Sequence, residues 1–121
     1  MRKCRLLSVR ETLQAPDFAL RLVRVSGTFM KYEWNDAKAA ANFVRHDTSF
    51  RAAARGLADT RKVERIDDRF DYGEERIQTL CMDRGHILFV VTVVRGNDVC
   101  RIVSARKANR NEQEKYFKGH F

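Results

Sequence analysis

The stretch that decides the fold is ERIQTLCMDRGHILFVVTVVRGNDVCRIVSA, residues 75–105. It contains three apolar runs rich in Val, Ile and Thr, at 75–82, 87–95 and 99–105. Asp83-Arg84-Gly85 and Gly96-Asn97-Asp98 separate them. Runs of this length joined by short Gly-containing connectors form antiparallel neighbours, so the stretch predicts a β-meander. Residues 62–66 are expected to add one more strand before it.

Upstream, 31–34 reads as a short strand, after which Asn35 and Asp36 can cap a helix over 37–46. Ala37, Ala40, Ala41 and Val44 form its apolar stripe, with Lys38, Asn42, Arg45 and His46 away from it. A second helix over 50–58 places Phe50, Ala53, Ala54 and Leu57 on one face. Downstream, Asn109 and Glu112 have the spacing of a capping box, which opens a closing helix. The order β-α-α-β-β-β-β-α predicts an α+β domain: an antiparallel β-meander sheet with its helices packed on one face.

A chain of 121 residues has room for one such domain. A seam is visible near residue 30. Residues 1–29 carry six basic and two acidic side chains, and their apolar residues keep no steady period. The expected organisation is therefore an extension over 1–29, either a disordered basic arm or an upstream reading of a gene that starts at Met30. The domain proper is expected over 30–121.

The net charge of +8 favours an anionic partner: nucleic acid, an acidic protein or a membrane surface. Cys4, Cys81 and Cys100 are an odd set without metal-ligand spacing, so reduced thiols in the cytoplasm are expected. The longest apolar stretch, 87–94, is too short to span a bilayer. No zinc signature, Gly-rich phosphate loop or nucleophile elbow is present, so neither a metal nor a cofactor is expected.

What remains is a set of cationic and acid–base residues at the edges of elements. Lys38, Asn42 and His46 recur at i,i+4 and form a polar ridge that a phosphate could follow; the alternative is an ordinary solvated face. Glu75 and Arg76 open a strand, where alternation turns them to different surfaces, and Glu75 is either a general base or half of an ion pair. Arg101 and Arg106 have odd spacing, so bringing them together requires a bend near Ser104. Arg106 and its neighbour Lys107 suit phosphate binding, since guanidinium is always charged and matches phosphate oxygens in bidentate fashion. Arg106 could equally cover the sheet end with its aliphatic stem.

Such residues would suffice to cut RNA, which supplies its own nucleophile in the 2′-hydroxyl. The protein must accept that proton, stabilise charge on the phosphorane-like centre and protonate the leaving 5′-oxygen. His46 is the best-placed conventional acid–base candidate, because His86 is expected in a turn and His120 at the chain end. The candidate catalytic set is His46, Glu75, Arg76 and Arg106. Lys38, Asn42, Arg101 and Lys107 are the candidate RNA-phosphate contacts.

The same residues carry a family likeness. Lys31-Tyr32-Glu33-Trp34-Asn35-Asp36 with Ala37-Lys38-Ala39-Ala40-Ala41-Asn42 resembles the opening of BrnT toxins. So do Arg45-His46 ahead of Ser49-Phe50, the run Tyr72-Gly73-Glu74-Glu75-Arg76, and above all Arg101-Ile102-Val103-Ser104-Ala105-Arg106-Lys107-Ala108. The likeness extends from Met30 to about Phe117. It implies a RelE-like ribonuclease toxin of a type II toxin–antitoxin system that cuts RNA without metal and arrests growth. A BrnA-type ribbon–helix–helix antitoxin would neutralise it, and operator DNA would be reached only through that complex. Basic residues near Lys38, Arg76 and Arg106 are expected at or beside the antitoxin interface. Two departures stand out: Asp47 replaces the Gly usual after the His, and 1–29 has no counterpart. The rival reading is a non-catalytic basic module that binds the antitoxin as a co-repressor. A sequence-specific DNA-binding domain fits less well, for lack of a helix-turn-helix with a basic recognition helix.

Overall fold

A computed structural model of the chain describes residues 19–25, 28–67, 75–94 and 99–121. The elements are β1 (Ala19–Val25), β2 (Thr28–Trp34), α1 (Asp36–His46), α2 (Phe50–Gly56), β3 (Val63–Asp67), β4 (Arg76–Asp83), β5 (His86–Val94), β6 (Val99–Lys107) and α3 (Arg110–Lys118). The six strands form one sheet in the order β1-β2-β6-β5-β4-β3.

The meander from β3 to β6 is antiparallel throughout, as expected. Its β4–β5 connection is a two-residue turn in which Arg84 (φ 50°) and Gly85 (φ 86°) both adopt the left-handed region. That geometry matches the twist of the strands it joins, and Gly accepts it without a Cβ penalty. The second expected turn, 96–98, lies outside the described residues, as do 72–74 and 1–18.

Two parts of the expected architecture are corrected. The sheet is mixed, because β2 runs parallel to β6 with Lys31, Tyr32 and Glu33 opposite Val99, Cys100 and Arg101. The helices are also divided between the two faces. Tyr32, Trp34, Cys81, Leu88, Val90, Ile102 and Ala105 face Phe50, Ala53, Ala54 and Leu57 of the α2 region. Val63, Leu80 and Ile87 instead pack with Ala108 and with Tyr116 of α3. Leu80 and Cys81 are neighbours on one strand, so these clusters lie on opposite sides of the sheet. A sheet covered on both faces can be buried throughout its centre, which suits the near-continuous apolar run of β5.

The seam expected at residue 30 falls inside β2. Ala19–Val25 pairs antiparallel with the whole of β2, from Ala19 opposite Trp34 to Val25 opposite Thr28. Arg21 ties this pairing down, donating to the Trp34 carbonyl at 3.1 Å and to the Asp36 carboxylate. Its guanidinium also lies 4.4 Å from the Trp34 ring centroid.

Helix α2 ends where it meets β4. A Cβ on Gly56 would stand 2.8 Å from Cys81 Sγ, so any larger residue forces either the buried Cys81 side chain or the helix to shift. Burial drives the Cys81 thiol up to about 12, which keeps it protonated and inert.

A polar link helps to close the far face. Tyr116 donates its hydroxyl to Asp59 Oδ2 at 2.5 Å, and Asp59 also accepts from the amides of Met82 and Arg61. Burial alone would raise the Asp59 pKa, but these hydrogen bonds outweigh it and hold the carboxyl below its ordinary value. A carboxylate depressed in the fold contributes stability above its unfolded pKa of about 4, and that contribution is lost as pH falls through the folded value. Tyr116→Phe is expected to lower stability by about 1–2 kcal/mol at pH 7, the lower part of the range because the site is partly wet. Urea titrations between pH 2 and 7 check this: the difference between wild type and variant must shrink towards the acid end.

Candidate functional site

Asn42, expected to touch phosphate, has a structural place. Its Nδ2 donates to the Ala105 carbonyl at 2.7 Å and to the Thr48 carbonyl at 3.0 Å, while its Oδ1 accepts from the Ala105 amide at 3.2 Å. On that side β6 is paired with β2 only as far as Arg101, so the Asn42 carboxamide continues the ladder where the strand has left. This one side chain turns α1 over. Ala39, Asn42 and His46 are partly buried towards the sheet, and Ala37, Ala40, Ala41 and Val44 are exposed, the reverse of the expected orientation. Asn42→Ala is expected to lower the unfolding free energy by about 3 kcal/mol, given roughly 1–3 kcal/mol for each buried backbone group left unpaired. A urea titration showing a loss below about 1 kcal/mol would mean that water takes over at the β6 edge.

The Asn42 clamp and the Asp47–Lys107 contact, 3.9 Å between Nζ and Oδ2, bracket His46. Both draw the end of α1 towards the end of β6 at which Arg106 and Lys107 leave the strand. Asp47, which caps α1, adopts φ 53°. That left-handed backbone accounts for a Gly preference at this position. Lys38 is exposed in the first turn of α1, at the other end of the helix.

Arg106 and Lys107 leave the strand on opposite faces. Lys107 points towards α1. Arg106 lies over the Phe89 ring, 4.2 Å from its centroid, and both its Nη atoms donate to the Glu112 carboxylate at 2.8 Å. Glu112 also accepts from the Asn109 amide, completing the capping box of α3. Burial alone would raise the Glu112 pKa, but Arg106 and the Asn109 amide bring it below its ordinary value. The guanidinium is therefore held flat and in one orientation, with part of its surface in solvent.

The expected bend near Ser104 is present as a β-bulge. Val91 pairs with Ser104 and Thr92 with Ile102, leaving Val103 as the extra residue. The bulge restores the alternation, so Arg101 and Arg106 share one face, separated by four steps of β5 or about 13 Å.

At the other end of that face a row of cross-strand partners runs Asp67, Arg76, Val93, Arg101, Glu33. Each arginine thus has a buried carboxylate beside it in the row. Arg101 Nε donates to Glu33 Oε2 at 2.7 Å, and Glu33 is 1% exposed. Glu75 is exposed and immediately precedes Arg76. The structure therefore does not gather the eight candidate residues in one place. Lys38, Asn42 and His46 lie along α1, with Lys107 on the same side of β6. Arg106 lies on the opposite face, and Arg101 and Arg76 share that face about 13 Å from Arg106, with Glu75 beside Arg76. Sequence reasoning missed Glu33 and Glu112 as the partners that orient the arginines. Glu112 carried a signal, its capping-box spacing; Glu33 carried none, because its partner lies 68 residues away.

Among the described residues, no three His, Cys, Asp or Glu side chains gather as a metal ion requires, and no helix is long and apolar enough to cross a membrane. The sequence model of the family described as the ribonuclease toxin, BrnT, of type II toxin–antitoxin systems matches residues 34–112, about two thirds of the chain. The matched span contains every one of the eight candidate residues and excludes β1 and Glu33. No curated protein sequence matches the chain.

Proposed function

Because the chain belongs to the BrnT family of ribonuclease toxins of type II toxin–antitoxin systems, we propose that it is a RelE-like, metal-independent endoribonuclease. It works in the cytoplasm, cuts RNA by attack of the 2′-hydroxyl on the adjacent phosphodiester, and so arrests growth. A BrnA-type ribbon–helix–helix antitoxin neutralises it, and the pair reaches operator DNA through that antitoxin.

The observation that carries this reading is the bulge at Val103, which sets Arg101 and Arg106 on one face of the sheet, the face that Arg76 also shares. RNA lying along that face meets guanidinium groups about 13 Å apart, a spacing suited to successive backbone contacts. The reacting phosphate belongs at the His46 end. There Arg106, immobilised by Glu112 and Phe89, stabilises the charge that builds on the phosphorane oxygens, and preorganised cations of this kind give the largest catalytic term. His46 exchanges protons with the 2′-hydroxyl and the 5′-oxygen, and Lys107 and Lys38 hold the flanking backbone. Glu75, Arg76 and Arg101 grip a neighbouring phosphate, with Glu75 as the acid–base group if the scissile bond lies there instead.

One observation favours the non-catalytic alternative. Arg101 and Arg106 are both already paired with carboxylates, as in a purely structural scaffold. Induction of the protein alone in bacteria, followed by mapping of RNA ends, separates the two readings. New ends appearing with growth arrest are the expected result; arrest with intact RNA would establish the co-repressor reading. In vitro, cleavage by the purified protein is expected to persist in excess EDTA, and abolition by EDTA with rescue by Mg²⁺ or Zn²⁺ would overturn the mechanism.

A further inference from the structure

Among the described residues, nothing covers the apolar side of helix α1. None of its eleven residues is buried. Val44 is 87% exposed and Phe43 51%, and Ala37, Ala40 and Ala41 extend the same outward side. Phe43 also forms one wall of a cleft of about 250 Å³, with Ala52 and Leu88 as further apolar walls and Lys107 and His86 on the rim. The acids near the cleft are countered. Asp83 receives two hydrogen bonds from Arg55, at 3.0 and 3.1 Å, and Asp47 faces Lys107 at 3.9 Å. Lys38 and Arg45 flank the outward side of α1, and both are exposed.

An aliphatic surface leading into a cleft with Phe43, Ala52 and Leu88 among its walls suits a protein segment better than RNA, which would bring phosphates to Val44 and Phe43. A second copy of this chain fits poorly on charge. Each copy carries +8, and symmetrical docking through α1 would set Lys38 and Arg45 of one against those of the other. An acidic amphipathic segment is complementary on both counts.

We propose that the outward side of α1, with the cleft beside Phe43, is the docking surface for the antitoxin. The antitoxin contributes an acidic amphipathic segment. It sets one apolar side chain into the cleft against Phe43, Ala52 and Leu88, lays others along Val44, and turns carboxylates to Lys38, Arg45 and Lys107. This inference rests on the toxin–antitoxin reading above and extends it, since a segment placed there also covers two of the cations assigned to RNA. Neutralisation then follows from occlusion, and no distortion of the arginine face is needed.

Phe43→Ala and Val44→Glu test the surface, because both side chains are exposed and neither belongs to the RNA-cutting set. Kd for the purified BrnA-type antitoxin of the same locus is measured by calorimetry. Cleavage of a model RNA, Tm and sedimentation of the toxin alone are measured beside it. The expected result is a Kd at least 30-fold weaker, as loss of a buried anchor produces, with cleavage, Tm and monomeric sedimentation unchanged. Wild-type Kd in both variants would overturn the assignment. So would a parallel loss of cleavage at unchanged Tm, which would make this an RNA surface. A wild-type dimer that Val44→Glu converts to monomer would identify a second copy as the occupant. A wild-type protein that cuts no RNA would refute the ribonuclease reading, while the two Kd values would still decide where the antitoxin docks.

Discussion

RNA cleavage by the Arg106→Ala variant is expected to fall by roughly 10²–10³-fold in kcat, the loss typical of removing one preorganised donor from developing charge. The substitution also removes both guanidinium bonds to Glu112 and uncovers the Phe89 ring, so some loss of stability must accompany it. Glu112→Gln separates the two effects. It keeps the cation and the capping spacing but weakens the fork that orients Arg106. If Arg106 acts on RNA, Glu112→Gln lowers cleavage much less than Arg106→Ala does at a similar cost in Tm. If Arg106 is only a strut between β6 and α3, both variants lose stability alike and cleave normally well below Tm.

Arg101→Met is expected to lower stability by about 3–5 kcal/mol, because it removes the guanidinium that donates to the Glu33 carboxylate, which is 1% exposed. The double variant Glu33→Gln/Arg101→Met should recover much of that loss, since a neutral amide is far easier to keep in the sheet than a carboxylate that has lost this guanidinium. Equilibrium urea unfolding of the two single variants and the double one gives the coupling directly. Additive losses would mean that the two side chains do not interact energetically, and the pairing of arginine with carboxylate at this end of the row would lose its structural meaning.

Much of this was legible in the chain itself. The β3–β6 meander follows from alternation, β-branched residues and a tight Arg84-Gly85 turn, all encoded within a few residues of where they act. Helix starts at Asn35, Ser49 and Asn109 are equally local, since each cap accepts from a backbone amide in the first turn. The family likeness was readable for the same reason: its motifs are short and keep their order along the chain.

The tertiary structure alone decided which elements met and which way they faced. Parallel pairing of β2 with β6 joins segments more than 60 residues apart, and no local period specifies a partner at that distance. The bulge at Val103 is a matter of register between two strands, and it alone brings Arg101 and Arg106 to one face. Helix α1 shows the point most clearly. Its sequence defines an apolar stripe but not the environment that stripe will meet. Burying three alanines and a valine against the sheet would gain little, whereas leaving the amide and carbonyl of Ala105 unpaired would cost more. Asn42 therefore faces β6, and the apolar stripe faces outward.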